Sequence, residues 1–257
     1  MELTVPVPGG EVWAEDTGGD GTPLVLVHAD WTDSRVWTPL TGLLGGRYRI
    51  IRYDLRGFGR SPAPEVPFSR LGDLRAVLDH FGIARAAIVS HSGAGGPALG
   101  LALADPERVT ALVLVAPGVH DYPWPKDDPY MQETERLIEA GDREGLVALG
   151  LRTWAPIGAD EEITDQFQGA VSSWFAIGDL ETPDPPVFGR LGEMHVPAVA
   201  LVGDFEYPMV VYSSDAIAGR IDGCQLLMVS GADHLLPTRT PARLAEVIDE
   251  TVPRWPG

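Results

Sequence analysis

Three residue types, far apart in this chain, could together activate a nucleophile. Ser92 sits in IVSHSGAGG, after a strand-like run and before a helical one. A serine hydroxyl attacks poorly until a base takes its proton, and the base needs an acid to orient it. Two later segments offer these partners. VPAVALV leads into Gly203-Asp204-Phe205-Glu206, which carries two carboxylates. CQLLMV leads into Ser230-Gly231-Ala232-Asp233-His234. Both segments follow strand-like runs, and parallel strands bring the loops at their C-terminal ends to one edge of a sheet. That makes His234 the best-placed base among the six histidines. Ser92, His234 and a carboxylate would perform acyl transfer, in which the serine attacks a carbonyl and the base moves its proton.

The turn around Ser92 carries its own signal. A nucleophilic serine on a sharp strand-to-helix turn usually has the pattern Gly-x-Ser-x-Gly. Here Ser90 and Ala94 replace the two glycines. Both are small, and a tight turn needs small neighbours more than it needs glycine. Gly93-Ala94-Gly95-Gly96-Pro97-Ala98 also fits a dinucleotide fingerprint. Such a loop normally follows the first strand of a sheet and is followed by a strand ending in an acid. The next strand here, ALVLVAPG, ends in Pro-Gly. No cofactor is therefore expected, and no cluster of metal-ligating types suggests a metal.

An α/β fold must position these residues. ELTVPV and EVWAED read as strands joined at Pro8-Gly9-Gly10. LVLV is apolar on both faces, as a buried central strand should be. A helix is expected between Asp33 and Leu44, ended by Gly45-Gly46. YRIIRYD, ARAAIVS and VTALVLVAP read as strands, with LGDLRAVLDHFG and PALGLALA as helices between them. This alternation implies a parallel sheet with right-handed crossovers. From Gly118 to His195 the pattern is helical, without a convincing buried strand. Alternation then resumes through VPAVALVGD, SSDAIAGRI, CQLLMV and PARLAEVIDETV. The expected division is a core of residues 1–117 and 196–257, with 118–195 inserted as a helical cap.

Composition narrows the partners. The net charge is −18 and Lys126 is the single lysine. Nucleic-acid binding, which needs clustered basic residues, is not expected. No apolar run is long enough to cross a bilayer, so no membrane partner is expected. The opening residues lack a basic region followed by an apolar one, and Cys224 is the sole cysteine. Both point to a cytoplasmic protein acting on a small molecule.

Four blocks resemble the α/β-hydrolase family, in particular its capped esterase, lactonase and C–C-hydrolase-like members: LVLVHADWTDSRVW, RYDLRGFGRSP, IVSHSGAGG, and VGDFEYP with VSGADHLLP. The resemblance implies a mostly parallel eight-stranded sheet flanked by helices. It puts the acid at Glu206, where family members mostly have Asp, with Asp204 as the fallback. It puts the oxyanion hole at the backbone N–H groups of Gly93 and Asp30. An inward carboxylate at Asp30 would repel an oxyanion, so this side chain is expected to turn away from the cleft, the alternative being that it contacts a cationic or hydroxylated part of the substrate. His28 and His91 fall at structural positions, and Asp54 and Arg56 read as turn and network residues. The cap's aromatics, Tyr122, Trp124, Tyr130, Trp154, Trp174 and Phe175, supply cap core; Trp124, Trp154 and Trp174, with Trp31 from the core, are candidate substrate contacts.

The expected activity is hydrolysis of an ester, thioester or lactone through an acyl-enzyme on Ser92. Two alternatives stay open: a biosynthetic lyase, cyclase or C–C hydrolase with the same triad, and a non-catalytic binding module. Serine at position 92 argues against the family's dehalogenases and epoxide hydrolases, which attack with a carboxylate.

Overall fold

Apolar runs that are buried on both faces build the centre of the molecule. The computed structural model describes residues 1–253. Its strands are β1 (Glu2–Val7), β2 (Gly10–Asp16), β3 (Thr22–Val27), β4 (Tyr48–Tyr53), β5 (Ala86–His91), β6 (Val109–Val115), β7 (Ala198–Gly203) and β8 (Gln225–Val229). Every residue of β3, β5 and β6 is buried. These strands lie inside one sheet of order β1-β2-β4-β3-β5-β6-β7-β8. β1 and β2 pair antiparallel, as do β2 and β4, and all other pairs are parallel. The expected eight-stranded, mostly parallel architecture is therefore present.

The helices are α1 (Thr38–Leu44), α2 (Arg70–His80), α3 (Gly95–Ala104), α4 (Pro129–Ala140), α5 (Arg143–Trp154), α6 (Glu161–Ile177), α7 (Pro208–Ala218), α8 (Leu236–Arg239) and α9 (Pro241–Thr251). One apolar cluster joins the sheet to α2 and α3, and another joins it to α1 and α9. The helix expected from Asp33 to Leu44 is split. A 3-10 turn covers Ser34–Trp37, and α1 begins afterwards with Pro39 in its first turn. Proline tolerates a first turn, where its missing N–H costs nothing, but not a helix interior.

Helices α4, α5 and α6 fill the interval between β6 and β7. Each starts on an aspartate whose carboxylate accepts a backbone N–H three residues on: Asp128 from Met131, Asp142 from Gly145 and Asp160 from Ile163. Such a cap is worth about 1 kcal/mol. The helices share an apolar cluster with Trp31, Ala116 and Leu235, which belong to loops at the sheet's C-terminal edge. The end of the interval behaves differently, because Val187, Leu191 and Met194 join the cluster beneath the sheet.

The strand order fixes where a ligand can enter. From β3 the chain steps outward to β4, then crosses back to β5 on the other side of β3. The loops that leave β3 and β5 thus diverge, opening a crevice at the carboxyl edge. Asp30 and Ser92 lie on these two loops.

Candidate active site

Ser92 follows directly on the buried β5 and opens a 3-10 step that leads into α3. Its φ is +57°, the left-handed region that non-glycine residues rarely adopt. Such strain costs about 1–3 kcal/mol and clusters at functional sites. The flanking Ser90 and Ala94 are fully buried, which explains why neither can be large. Ser92 borders a cavity of about 570 Å³ beneath α4 and α5.

The segments carrying Glu206 and His234 are stitched together by backbone. Asp204 N–H donates to the Val229 carbonyl at 3.0 Å, and Phe205 N–H to the Ala232 carbonyl at 2.9 Å. A Cβ at Gly203 would sit 2.0 Å from the Ala232 oxygen, so only glycine permits this approach. Asp204 is exposed and its carboxylate accepts the Gly231 N–H at 2.8 Å, which makes it a loop staple. Glu206 is the carboxylate that reaches the histidine. Its Oε2 accepts from His234 Nδ1 at 2.9 Å, and its Oε1 accepts the Tyr207 N–H at 2.9 Å. Both side chains are almost completely buried. The extra methylene of glutamate is absorbed by this second bond to its own chain neighbour.

With Nδ1 bonded to a carboxylate, His234 holds its proton there and leaves Nε2 as a base. Nε2 is buried and has no hydrogen-bond partner among the described residues. The ring lies 4.9 Å from the ring of His91, the residue before Ser92. His91 in turn donates from Nε2 to the His234 carbonyl at 2.7 Å. Burial, and the nearby His234, push the His91 pKa well below its ordinary value, so it stays neutral. His28 is also neutral: burial lowers its pKa, its Nε2 accepts the Leu55 N–H at 2.8 Å, and its Nδ1 donates to the Ala29 carbonyl. Both histidines tie loops together, and neither lines the cavity.

The expectation that the Asp30 side chain turns away is corrected. Asp30 lines the cavity, and its Oδ2 would lie 1.9 Å from a Cβ built on Gly93. The carboxylate therefore packs against the turn itself. It is drawn there by Arg70, the first residue of α2, which pairs with Asp30 and with Glu181. Burial opposes the Arg70 charge, but the two carboxylates outweigh it and hold the guanidinium above its ordinary pKa. The network lay outside the sequence reading. Residues 30, 70 and 181 share no local pattern, and an arginine at a helix start ordinarily reads as solvated.

All four candidate tryptophans border the cavity. Trp154 lies 4.6 Å from the His234 ring and donates from Nε1 to the Tyr130 hydroxyl at 2.9 Å. Trp174 donates to the Asp30 carbonyl at 3.1 Å and meets Trp31 edge-on. Trp31 is otherwise stacked on Phe167 and nearly buried, so much of it serves packing. Trp124 is half-buried at the cavity wall. Tyr207 donates to Asp128 at 2.9 Å, and burial together with that carboxylate pushes its hydroxyl up to about 12. This bond ties the cap of α4 to the segment holding Glu206.

The family model for the alpha/beta hydrolase family matches residues 24–247. The chain belongs to that family. An enol-lactonase from Burkholderia xenovorans superposes with a TM-score of 0.77 over 96% of this chain and 98% of its own, at 23% identity. A carboxylesterase from Bacillus subtilis gives 0.81 over 98% and 90%, at 18% identity. At these identities the likeness is one of fold. Among curated relatives, the pimeloyl-[acyl-carrier protein] methyl ester esterase of Legionella pneumophila is 34% identical over 113 residues, 43% of this chain and 45% of that protein. The dihydrolipoyllysine-residue acetyltransferase component of the acetoin cleaving system of Pseudomonas putida is 39% identical over 108 residues, 40% of this chain and 29% of that protein. The alignment thus spans less than half of either relative. No helix among the described residues is long and apolar enough to cross a membrane.

Proposed function

We propose that this protein is a serine hydrolase acting on the ester, thioester or lactone carbonyl of a moderately hydrophobic small molecule. The observation that carries the reading is the buried His234–Glu206 pair, whose second ring nitrogen has no partner among the described residues and whose ring lies 4.9 Å from that of His91, the residue before the strained Ser92. In this mechanism Nε2 of His234 takes the Ser92 proton as Oγ attacks the carbonyl carbon. The imidazolium is held by Glu206, which keeps its proton on Nδ1. Backbone N–H groups of Gly93 and Asp30 receive the oxyanion. His234 then protonates the leaving group, and a water deprotonated by the same histidine releases the acyl group. No cofactor enters any step.

Residues 118–195 act as the cap, roofing the cavity with α4, α5 and α6. Trp124, Trp154 and Trp174, with Trp31 from below, supply the apolar wall, as small-molecule sites generally require. The esterase named among the relatives supports a carboxylic ester as the first class to test. The protein is proposed to work in the cytoplasm, in keeping with its single cysteine.

One observation favours a second reading. The inward Asp30 carboxylate gives the cavity a charged group that simple ester hydrolysis does not use, which suits a lyase, cyclase or C–C hydrolase on the same triad. Fluorophosphonate labelling with an ester panel separates the readings. Labelling of the wild type, none of Ser92→Ala, and turnover of p-nitrophenyl esters support the hydrolase. Labelling without turnover of any ester favours the second reading. Absence of labelling between pH 6 and 9 rejects both.

A further inference from the structure

Three features outside the triad invite an explanation. The first is the exposed apolar trio Phe205, Tyr212 and Met228, which has nothing seated on it. The second is the surface hollow between Arg35 and Asp165, whose charges already pair with each other. The third is the ion chain Asp30–Arg70–Glu181, which the mechanism leaves unused and which reaches the reacting centre.

Its geometry is specific. On the hydrolase reading Asp30 and Gly93 each give a backbone N–H to the oxyanion hole, and the Asp30 carboxylate packs against Gly93. A negative charge there opposes the charge that develops on the substrate oxygen. Arg70 meets this carboxylate through Nη1, while its Nε and Nη2 grip both oxygens of Glu181, at 2.8 Å and 2.9 Å. Glu181 is fixed in turn by backbone. The segments around Phe68 and Glu181 bridge like strands, with Phe68 N–H bonded to the Leu180 carbonyl at 3.0 Å and Thr182 N–H to the Phe68 carbonyl at 2.7 Å. Arg70 is therefore held from behind by a fixed anchor and shares its one positive charge between Glu181 and Asp30. The same engagement leaves it poorly suited to receive a substrate carboxylate.

We infer that Arg70 is a positioning residue for the oxyanion hole: clamped by Glu181, it fixes the Asp30 carboxylate in an ion pair and offsets much of its charge, so that the Asp30 and Gly93 N–H groups face a paired rather than a bare carboxylate. The inference rests on the hydrolase reading above. Arg70 touches no reacting atom and acts through Asp30. In its absence Asp30 and Glu181 lose their cation, Asp184 beside them in the cavity wall loses its screening, and the nearest of the three opposes the oxyanion directly.

The test is a double-variant cycle on the full chain, read as the second-order rate of fluorophosphonate labelling and as kcat and KM on p-nitrophenyl butyrate. Arg70→Met is expected to lower kcat and the labelling rate roughly 100-fold, the scale of a lost oxyanion interaction, with KM changed far less. Adding Asp30→Asn should return both rates to within about threefold of Asp30→Asn alone, because the charge that Arg70 compensates is gone. A merely structural arginine gives no such rescue, and absence of rescue overturns the assignment. A rise in KM at constant kcat also overturns it, because that marks Arg70 as a substrate contact. Where Arg70→Met fails to fold, Arg70→Lys keeps the charge but loses the two-sided grip. It should slow labelling several-fold and be rescued by Asp30→Asn in the same way. Failure of the underlying reading looks different: the wild type then does not label at Ser92 at all.

Discussion

The two halves of the site are held by different physics. On one side, the segments bearing Glu206 and His234 are joined by backbone hydrogen bonds, a glycine contact and one buried side-chain pair. On the other, the Asp30 loop is set against Gly93 by a chain of charged side chains from positions 70 and 181. A backbone-stitched half resists movement. A charge-clamped half depends for its electrostatics on every member being present. On the proposed mechanism both halves meet a charge that comes and goes, on the imidazole in one and on the substrate oxygen in the other.

The comparison breaks most sharply at the triad. Ser92→Ala and His234→Ala should each lower kcat by about 10⁵-fold or more, measured by ester turnover. A smaller loss from His234→Ala than from another histidine variant would move the base elsewhere. Next comes the acid: Glu206→Gln is expected to cost about 10⁴-fold by leaving the imidazole unoriented, while Asp204→Asn costs less than about threefold. Reversal of that order would shift the acid to Asp204.

Paired glycine substitutions sharpen the contrast between the halves. In Gly203→Ala the new methyl meets the Ala232 backbone oxygen, so about 2–3 kcal/mol of stability and several degrees of Tm should be lost. In Gly93→Ala it meets the end of the Asp30 side chain, which can swing away. Melting should then change little while activity falls. Equal loss of Tm in both variants would erase the distinction.

The smallest effect is one of pH. His28 and His91 are fully buried, and both have pKa values lowered by that burial. The unfolded chain therefore takes up protons near the ordinary histidine value while the folded chain does not. Their contribution to stability is intact above about pH 6.5 and is lost as pH falls below it. Calorimetry should find Tm about 3 °C lower at pH 6 than at pH 7, and His91→Gln should reduce that slope by about half. A Tm independent of pH over this interval would mean that neither ring is buried neutral.

The legibility of the molecule follows the same division. Strands β3, β5 and β6 could be read because central strands need apolar residues on both faces. The loops after β7 and β8 could be read because strand-end position and residue type alone put a carboxylate and a histidine at one edge. The choice between Asp204 and Glu206 could not be made from the residues, since it rests on which carboxylate turns inward and which staples Gly231. The Asp30 orientation was misread for a related reason. Repulsion from an oxyanion argues for an outward carboxylate, but the arginine that pairs with Asp30 starts a helix 40 residues away in sequence and is anchored 111 residues beyond that. The split at Pro39 marks a local signal that outweighed the helical run around it.

Gly93 has a consequence for how such chains can diverge. The turn dispenses with glycine on both flanks of Ser92, yet a side chain at 93 would displace the carboxylate that residue 30 packs against it, at the expense of activity rather than of folding. Positions 30 and 93 are therefore tradable only together. A relative with a side chain at the equivalent of 93 should carry a small residue at the equivalent of 30, and should have no use for an arginine at the head of α2.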